Sequence, residues 1–171
     1  MSHPPGQQFL LGDVVAVLGA TGTGTLEIIA DAEILATSRT YNAGADGTLG
    51  QFLGGTPAEA TAAVGVPWWI FGLRQNSAFR TNIGLANTGT EPATVRVTLF
   101  DADGSELANT TWVVAAGATI NTLTPFKELA GRSDITSGYA RVDVEAGAGI
   151  IAYGSVIDNH TNDPTTVVAR R

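Results

Sequence analysis

From Thr94 to Phe100 apolar and polar residues alternate without a break. Val95, Val97 and Leu99 fall on one side, and Thr94, Arg96 and Thr98 on the other. Side chains of a strand point to opposite faces in turn, so this pattern predicts a half-buried strand. Tyr139 to Glu145 repeats it, with Ala140, Val142 and Val144 set against Arg141, Asp143 and Glu145. Ile150 to Asp158 is apolar on both sides and predicts a central strand. Further strands are expected at Trp68–Leu73, Phe79–Ala86, Leu107–Ala115, Thr119–Leu123 and Thr165–Ala169. Asp101-Ala102-Asp103-Gly104 separates two of them with the residues of a hairpin turn. One helix is expected at Pro125–Ala130, with Thr124 as N-cap, Pro at the first helical position and Gly131 as the stop.

The N-terminal third reads less clearly. Residues 1–8 form a polar, Pro-rich tail, and Leu10–Leu18 is an apolar run too short to classify by period. Gly19–Gly24 is a loop. Thr25–Ala30 and Glu33–Tyr41 are expected as strands around an Asp31-Ala32 turn. Asn42–Ala63 reads as a long loop carrying a short helix at Pro57–Ala63, with Thr56 as N-cap and Glu59 as its capping-box partner. Strands every eight to twelve residues or so, with little helix, predict an all-β protein, an antiparallel β-sandwich with one or two short helices.

Glu33–Thr48 and Ile150–Thr165 match at constant offset. Ile34 corresponds to Ile151, Ser38 to Ser155, Asn42 to Asn159, Asp46 to Asp163 and Thr48 to Thr165. This suggests a half-repeat over residues 9–65 ahead of a complete unit over 66–171, the two packed together. Ser38-Arg39-Thr40-Tyr41-Asn42, Phe79-Arg80-Thr81-Asn82-Ile83-Gly84-Leu85, Val97 to Gly104 and Ala152 to Asn159 before Asp163-Pro164 carry a resemblance. They resemble an Ig-like β-sandwich repeat of predicted exported bacterial proteins. The resemblance implies a sandwich fold and an extracellular or cell-surface location, and it implies no particular activity.

Composition narrows the partners. Among 171 residues only 15% are charged, against a typical ~25%. The net charge is −7, and Lys127 is the single lysine. That excludes a nucleic-acid binder working through a basic patch. Without cysteine there is neither a disulfide framework nor a thiolate metal site. No apolar run is long enough to cross a membrane as a helix. The first six residues lack the basic and apolar regions of a signal peptide.

Candidate chemistry is sparse. Val14 to Gly24 is similar to the Gly-rich turn of dinucleotide-binding proteins, but Thr25 stands where the third glycine belongs and no βαβ train follows. Asp101 and Asp103 open a segment like a Ca²⁺ loop, whose twelfth position is Trp112 instead of Glu. Asp158 and Asp163 bracket Asn159-His160-Thr161-Asn162, which also suits a weak Ca²⁺ site or a turn closed by its own side chains. Ser155, His160 and Asp158 supply the residue types of a hydrolytic triad, but Ser155 lies within an apolar strand with no elbow to expose it. Asp143 and Glu145 read as a solvated strand face. Trp68-Trp69-Ile70-Phe71 and Trp112 are the aromatic concentration, and adjacent Trp residues on a strand must face opposite ways, one into the core and the other to inter-domain packing or solvent. Arg39 and Arg80 sit in strands near an Asn, suited to tying strands together or to holding an anion.

The expected function is therefore non-catalytic. The first expectation is a structural or adhesion module that self-associates or packs on neighbouring repeats. The alternative is a carbohydrate-binding module using an exposed Trp with Asn and Asp, with no cofactor beyond Ca²⁺. An enzyme would need a pocket of perturbed titratable groups, and the sequence supplies none.

Overall fold

The computed structural model describes residues 4–22, 24–45 and 47–171. It is a β-sandwich of two antiparallel sheets. The first sheet runs in the order β4 (Trp68–Gln75), β9 (Ile135–Ala146), β6 (Ala93–Phe100), β7 (Glu106–Val114). The second runs β11 (Pro164–Val168), β10 (Ala148–Asp158), β5 (Phe79–Asn87), β8 (Thr119–Leu123), with the two-residue β3 (Ala62–Ala63) pairing on β10. The doubly apolar Ile150–Asp158 segment is thus a central strand, as its pattern predicts.

The alternation of each strand explains how the sheets face each other. Val95, Val97 and Leu99 pair in register with Val144, Val142 and Ala140, and all six are buried. Opposite them, Ile83 and Leu85 of β5 lie beside Gly154 and Ala152 of β10. Each fully buried Val, Leu or Ile contributes roughly 1.5–3 kcal/mol, so these inner rows dominate the stability of the sandwich. The helix α2 (Pro125–Ala130) adds Phe126, which has no exposed surface. Gly131 ends that helix in the left-handed conformation. Its N–H reaches the Lys127 carbonyl at 3.1 Å, and the Arg132 N–H reaches the Phe126 carbonyl at 3.0 Å. Thr124 precedes the helix, but its side chain makes no capping bond; its carbonyl accepts from Lys127 and Glu128 instead.

The chain end ties the sheets together. After β11 the Ala169 N–H bonds to the Ala152 carbonyl at 3.0 Å. Arg170 then exchanges two backbone hydrogen bonds with Trp69, at 2.7 and 2.9 Å, on the edge of the other sheet.

The N-terminal third departs from its pattern. Thr25–Ala30 is not a strand, and the strand expected from Glu33 starts only at Thr37. That strand, β1 (Thr37–Gly44), pairs with β2 (Gly47–Gly54), which lies in what reads as a loop. Gly- and Thr-rich composition hid β2, because cross-strand pairing rather than side-chain pattern stabilises it. The helix expected at Pro57–Ala63 shrinks to a single 3₁₀ turn at Ala58–Ala60, with no side-chain cap. The run from Leu10 carries one helical turn, α1 (Val14–Val17), capped by Asp13, whose carboxylate accepts from the Ala16 N–H at 3.0 Å. β1–β2 and β10–β11 are both antiparallel hairpins at the echoing positions. Their registers differ, since Ser38 pairs with Leu53, whereas Ser155 pairs with Thr166. Asp46, part of that echo, and Met1–His3 of the tail lie outside the described residues.

This N-terminal arm lies against the outer face of the five-stranded sheet. The Ser155 hydroxyl donates to Gln51 Oε1 at 3.1 Å, and the Thr25 and Thr119 hydroxyls meet at 2.9 Å. Ser155 points away from the core by strand parity, yet it is buried.

Candidate functional site

The three tryptophans separate as strand geometry demands. Trp68 pairs with Val142 and Trp112 with Val95, both inner-face positions, and both indoles pack against the core. Trp69 pairs with Arg141 and faces outward. Around it the outer face of the four-stranded sheet gathers an aromatic cluster. Trp69 and Phe71, two apart on β4, lie 6.2 Å apart between centroids with planes only 14° from parallel. Phe100 and Tyr139, cross-strand partners on β6 and β9, stack at 4.9 Å and 9°. Tyr139 also lies 5.9 Å from Trp69 and 5.6 Å from Phe71.

Arg141 completes the cluster. Its guanidinium sits 5.9 Å from the Trp69 ring centre and 5.7 Å from that of Phe100, while its Nε donates to Asp143 Oδ2 at 2.8 Å. A cation over an aromatic face is attracted by the ring quadrupole. Beside it Arg96 is ion-paired with Glu145. Phe100 is nearly covered by its neighbours, whereas Phe71 remains 58% exposed. Phe71 belongs to the aromatic concentration read from the sequence, whereas Phe100, Tyr139 and Arg141 were not singled out there as site residues. The alternation of β9 places Tyr139 and Arg141 on its polar side, but only the register brings them beside Trp69.

The two candidate arginines have partners within the chain. Arg80 donates to Asn159 Oδ1 at 2.9 Å and to Asn162 Oδ1 at 3.0 Å. Asn159 in turn donates to the carbonyls of Asn76 and Ser77, and its backbone N–H to that of Ala78. These bonds clamp the β4–β5 turn to the β10–β11 turn. Arg39, on the exposed hairpin, donates to the Thr48 hydroxyl at 2.8 Å and lies over the Tyr41 ring at 5.1 Å.

Three of the four candidate Ca²⁺ carboxylates accept hydrogen bonds within turns, and Asp163 contributes its backbone. Asp101 accepts from the Ala102 N–H and from Arg132. Asp103 accepts from the Ser105 N–H at 2.9 Å, and bonds from Ser105 hold its carboxyl below the usual range. Asp158 accepts from the N–H groups of His160 and Thr161 at 2.7 and 3.1 Å, and these bonds likewise lower its pKa. The Asp163 carbonyl receives the Asp158 N–H, closing the loop. Among the described residues no three His, Cys, Asp or Glu side chains come close enough together to hold a metal ion. Asp158 and Asp163 also line an open groove of about 360 Å³ between β4 and β11, together with Gly72, Arg74 and Phe79. Arg74 lies over the Phe79 ring at 4.9 Å in this groove.

The remaining motifs resolve by geometry. Ser155 is engaged with Gln51, and Asp158 receives backbone N–H groups. The Val14–Gly24 segment, of which Thr23 lies outside the described residues, opens with the helical turn Val14–Val17 where the motif needs a strand, and every ladder between the strands described is antiparallel. A dinucleotide fold places that segment between parallel strands. No helix among the described residues is long and apolar enough to cross a membrane.

No family model matches the chain, and no curated protein matches it. Solved structures show a distant likeness. The crystal structure of Thermotoga maritima 1070 aligns over 64% of this chain and 96% of its own, at 14% identity and a TM-score of 0.49. The Anabaena sensory rhodopsin transducer aligns over 53% of this chain and 97% of its own, at 16% identity and a TM-score of 0.40. These likenesses reach no further than a distant β-rich fold.

Proposed function

We propose that this protein is a non-catalytic structural or adhesion-type module of an exported bacterial protein. In this reading the sandwich is an Ig-like repeat, and its N-terminal arm packs on a second copy or on a neighbouring repeat. One observation carries the proposal: the arm leaves its apolar side chains in water. Ile29 is 85% and Leu35 95% exposed, and Leu10, Val17, Leu18, Ile28, Ile34 and Phe52 are more than half exposed. Scattered exposed apolar residues are ordinary, but this many in one segment mark a contact surface. The period-2 pattern of Leu26, Ile28 and Ala30 is that of a strand, and among the described residues no strand pairs with it. A strand supplied by another copy satisfies both facts.

The test is solution mass by light scattering over a concentration series, on the whole chain and on a double variant, Ile29→Asp with Leu35→Asp. Both side chains are almost free of contacts, so the variant folds as the parent does. The parent is expected to form a discrete oligomer or an open polymer, and the variant to run at 17.6 kDa. A parent that stays monomeric at every concentration, or a variant that associates as the parent does, refutes the reading.

A further inference from the structure

We infer that the N-terminal arm, as far as Gly54, is exchanged between two copies of this chain, each arm lying on the five-stranded sheet of the other in a closed dimer. The inference rests on the packing reading above. It names the partner, a second copy, and the surface that receives the arm, the outer face of β8, β10 and β11.

That surface is the one the arm already occupies. The Ser155 hydroxyl donates to Gln51 Oε1 at 3.1 Å, and the Thr25 and Thr119 hydroxyls meet at 2.9 Å. Ser155 is buried although it points away from the core. Its cross-strand neighbour Thr166 has a buried hydroxyl with no hydrogen-bond partner, so the docked arm leaves polar capacity unused. An arm from a second copy makes the same bonds to the same residues. Exchange therefore alters the linker and leaves the docking contact as it is.

The linker permits exchange. Residues 55–61 join β2 to β3, and their hydrogen bonds are local. The Gly55 N–H donates to the Ala36 carbonyl within the arm, the Ala60 N–H to the Pro57 carbonyl, and the Thr61 hydroxyl to the Ala58 carbonyl. The linker can swing about Thr56 without losing any of them. Seven extended residues reach about 25 Å. Packed β layers lie about 10 Å apart, so the linker can carry the arm across one layer onto a facing copy.

Exchange also accounts for the apolar side of the arm. On a single chain one side of the arm covers the sheet, while Ile29, Leu35, Leu10 and Leu18 stay in water. Two sandwiches that face each other through exchanged arms about a twofold axis bring these sides together, arm against arm. The large apolar residues of the arm that are more than half exposed offer on the order of 800 Å², the share per partner of a standard interface. A twofold contact is self-complementary and closes at two copies. The arm carries Asp13, Glu27, Asp31 and Glu33 against Arg39. Its contact with another arm is thus apolar, and it tightens as salt screens the repulsion.

The experiment uses the absence of native cysteine. Thr25→Cys and Thr119→Cys together place two thiols where two hydroxyls now touch, at exposed positions outside the core. Light scattering first finds the concentration at which the parent associates. The double variant is oxidised there, denatured without reductant and weighed. A covalent dimer at twice 17.6 kDa is expected, with each single variant remaining at 17.6 kDa, and raised salt should favour the parent dimer. A parent that stays monomeric at every concentration removes the packing reading and this inference with it. An associating parent whose double variant closes only within single chains overturns the exchange alone. So does a ladder of covalent oligomers, because reciprocal exchange ends at two copies. Covalent dimers of a single variant would mean that thiols meet by collision, and dissociation by salt would mean an ionic contact; either overturns the exchange. Free thiols after oxidation would set Thr25 away from Thr119 of both copies and overturn it too.

Discussion

Asn87 offers a direct test of how the sandwich is held at the end opposite the Arg80 clamp. It closes β5, is 1% exposed and uses its whole amide. Nδ2 donates to the Glu91 and Val114 carbonyls, each at 2.9 Å, and Oδ1 accepts from the Gly89 N–H at 2.8 Å. One side chain thereby joins the β5–β6 turn to the end of β7, across the sheets. Replacing it with Ala removes three hydrogen bonds, each worth about 0.5–1.5 kcal/mol net, and leaves buried polar groups without partners. The expected loss is about 3 kcal/mol. For a chain of this length that lowers the melting temperature by about 9 °C. Asn87→Asp sharpens the argument, because a carboxylate can only accept and would face two carbonyl oxygens. At pH 7 it should be less stable than Asn87→Ala. Near pH 3.5 its protonated form regains one donor, and the gap should narrow. Urea unfolding followed by tryptophan fluorescence at both pH values measures this. An Ala variant within about 0.5 kcal/mol of the parent refutes the reasoning, as does an Asp variant equal to the Ala variant at both pH values.

Two further expectations follow from the outer face and the turns. A Cβ added at Gly84 would run into the Tyr153 ring, so Gly84→Ala should cost about 1–3 kcal/mol. A double-mutant cycle with Tyr153→Ala should recover most of that cost, whereas strictly additive effects would show that the ring is not the obstacle. Asp158 has its pKa lowered by backbone N–H groups in the folded state, so its contribution is present above the unfolded value and is lost as pH falls through the folded one. The stability difference between the parent and Asp158→Asn should therefore shrink on acidification below about pH 4. A difference constant from pH 7 to pH 2.5 would contradict it.

The strands of the sandwich were legible because burial on one face writes a period of two into the chain. Val95, Val97 and Leu99, and likewise Ala140, Val142 and Val144, announced both their strands and the face each would bury. The doubly apolar Ile150–Asp158 announced a central strand for the same reason. The hairpin turn at Asp101–Gly104 and the stop at Gly131 were legible because left-handed backbone favours glycine. The N-terminal arm was not legible. Its strand-like alternation at Leu26–Ala30 finds no partner strand among the described residues, and β2 formed from residues that do not alternate apolar with polar.

The aromatic face shows the same division. Alternation required Trp68 and Trp69 to part, but nothing local said which would face out. Strand order and register decided that, setting Trp69 against Arg141, and Tyr139 against Phe100, across three strands far apart in sequence. Local composition likewise grouped Asp158, Asn159 and Asp163 as if for a ligand. It could not show that Arg80, on a neighbouring strand, would take up Asn159 to clamp two turns. The sequence alone determined the sandwich, its inner faces and its charge-poor, cysteine-free character, because burial and turn geometry act over a few residues. Tertiary structure alone decided which polar and aromatic side chains meet, because pairing register is a property of the whole sheet.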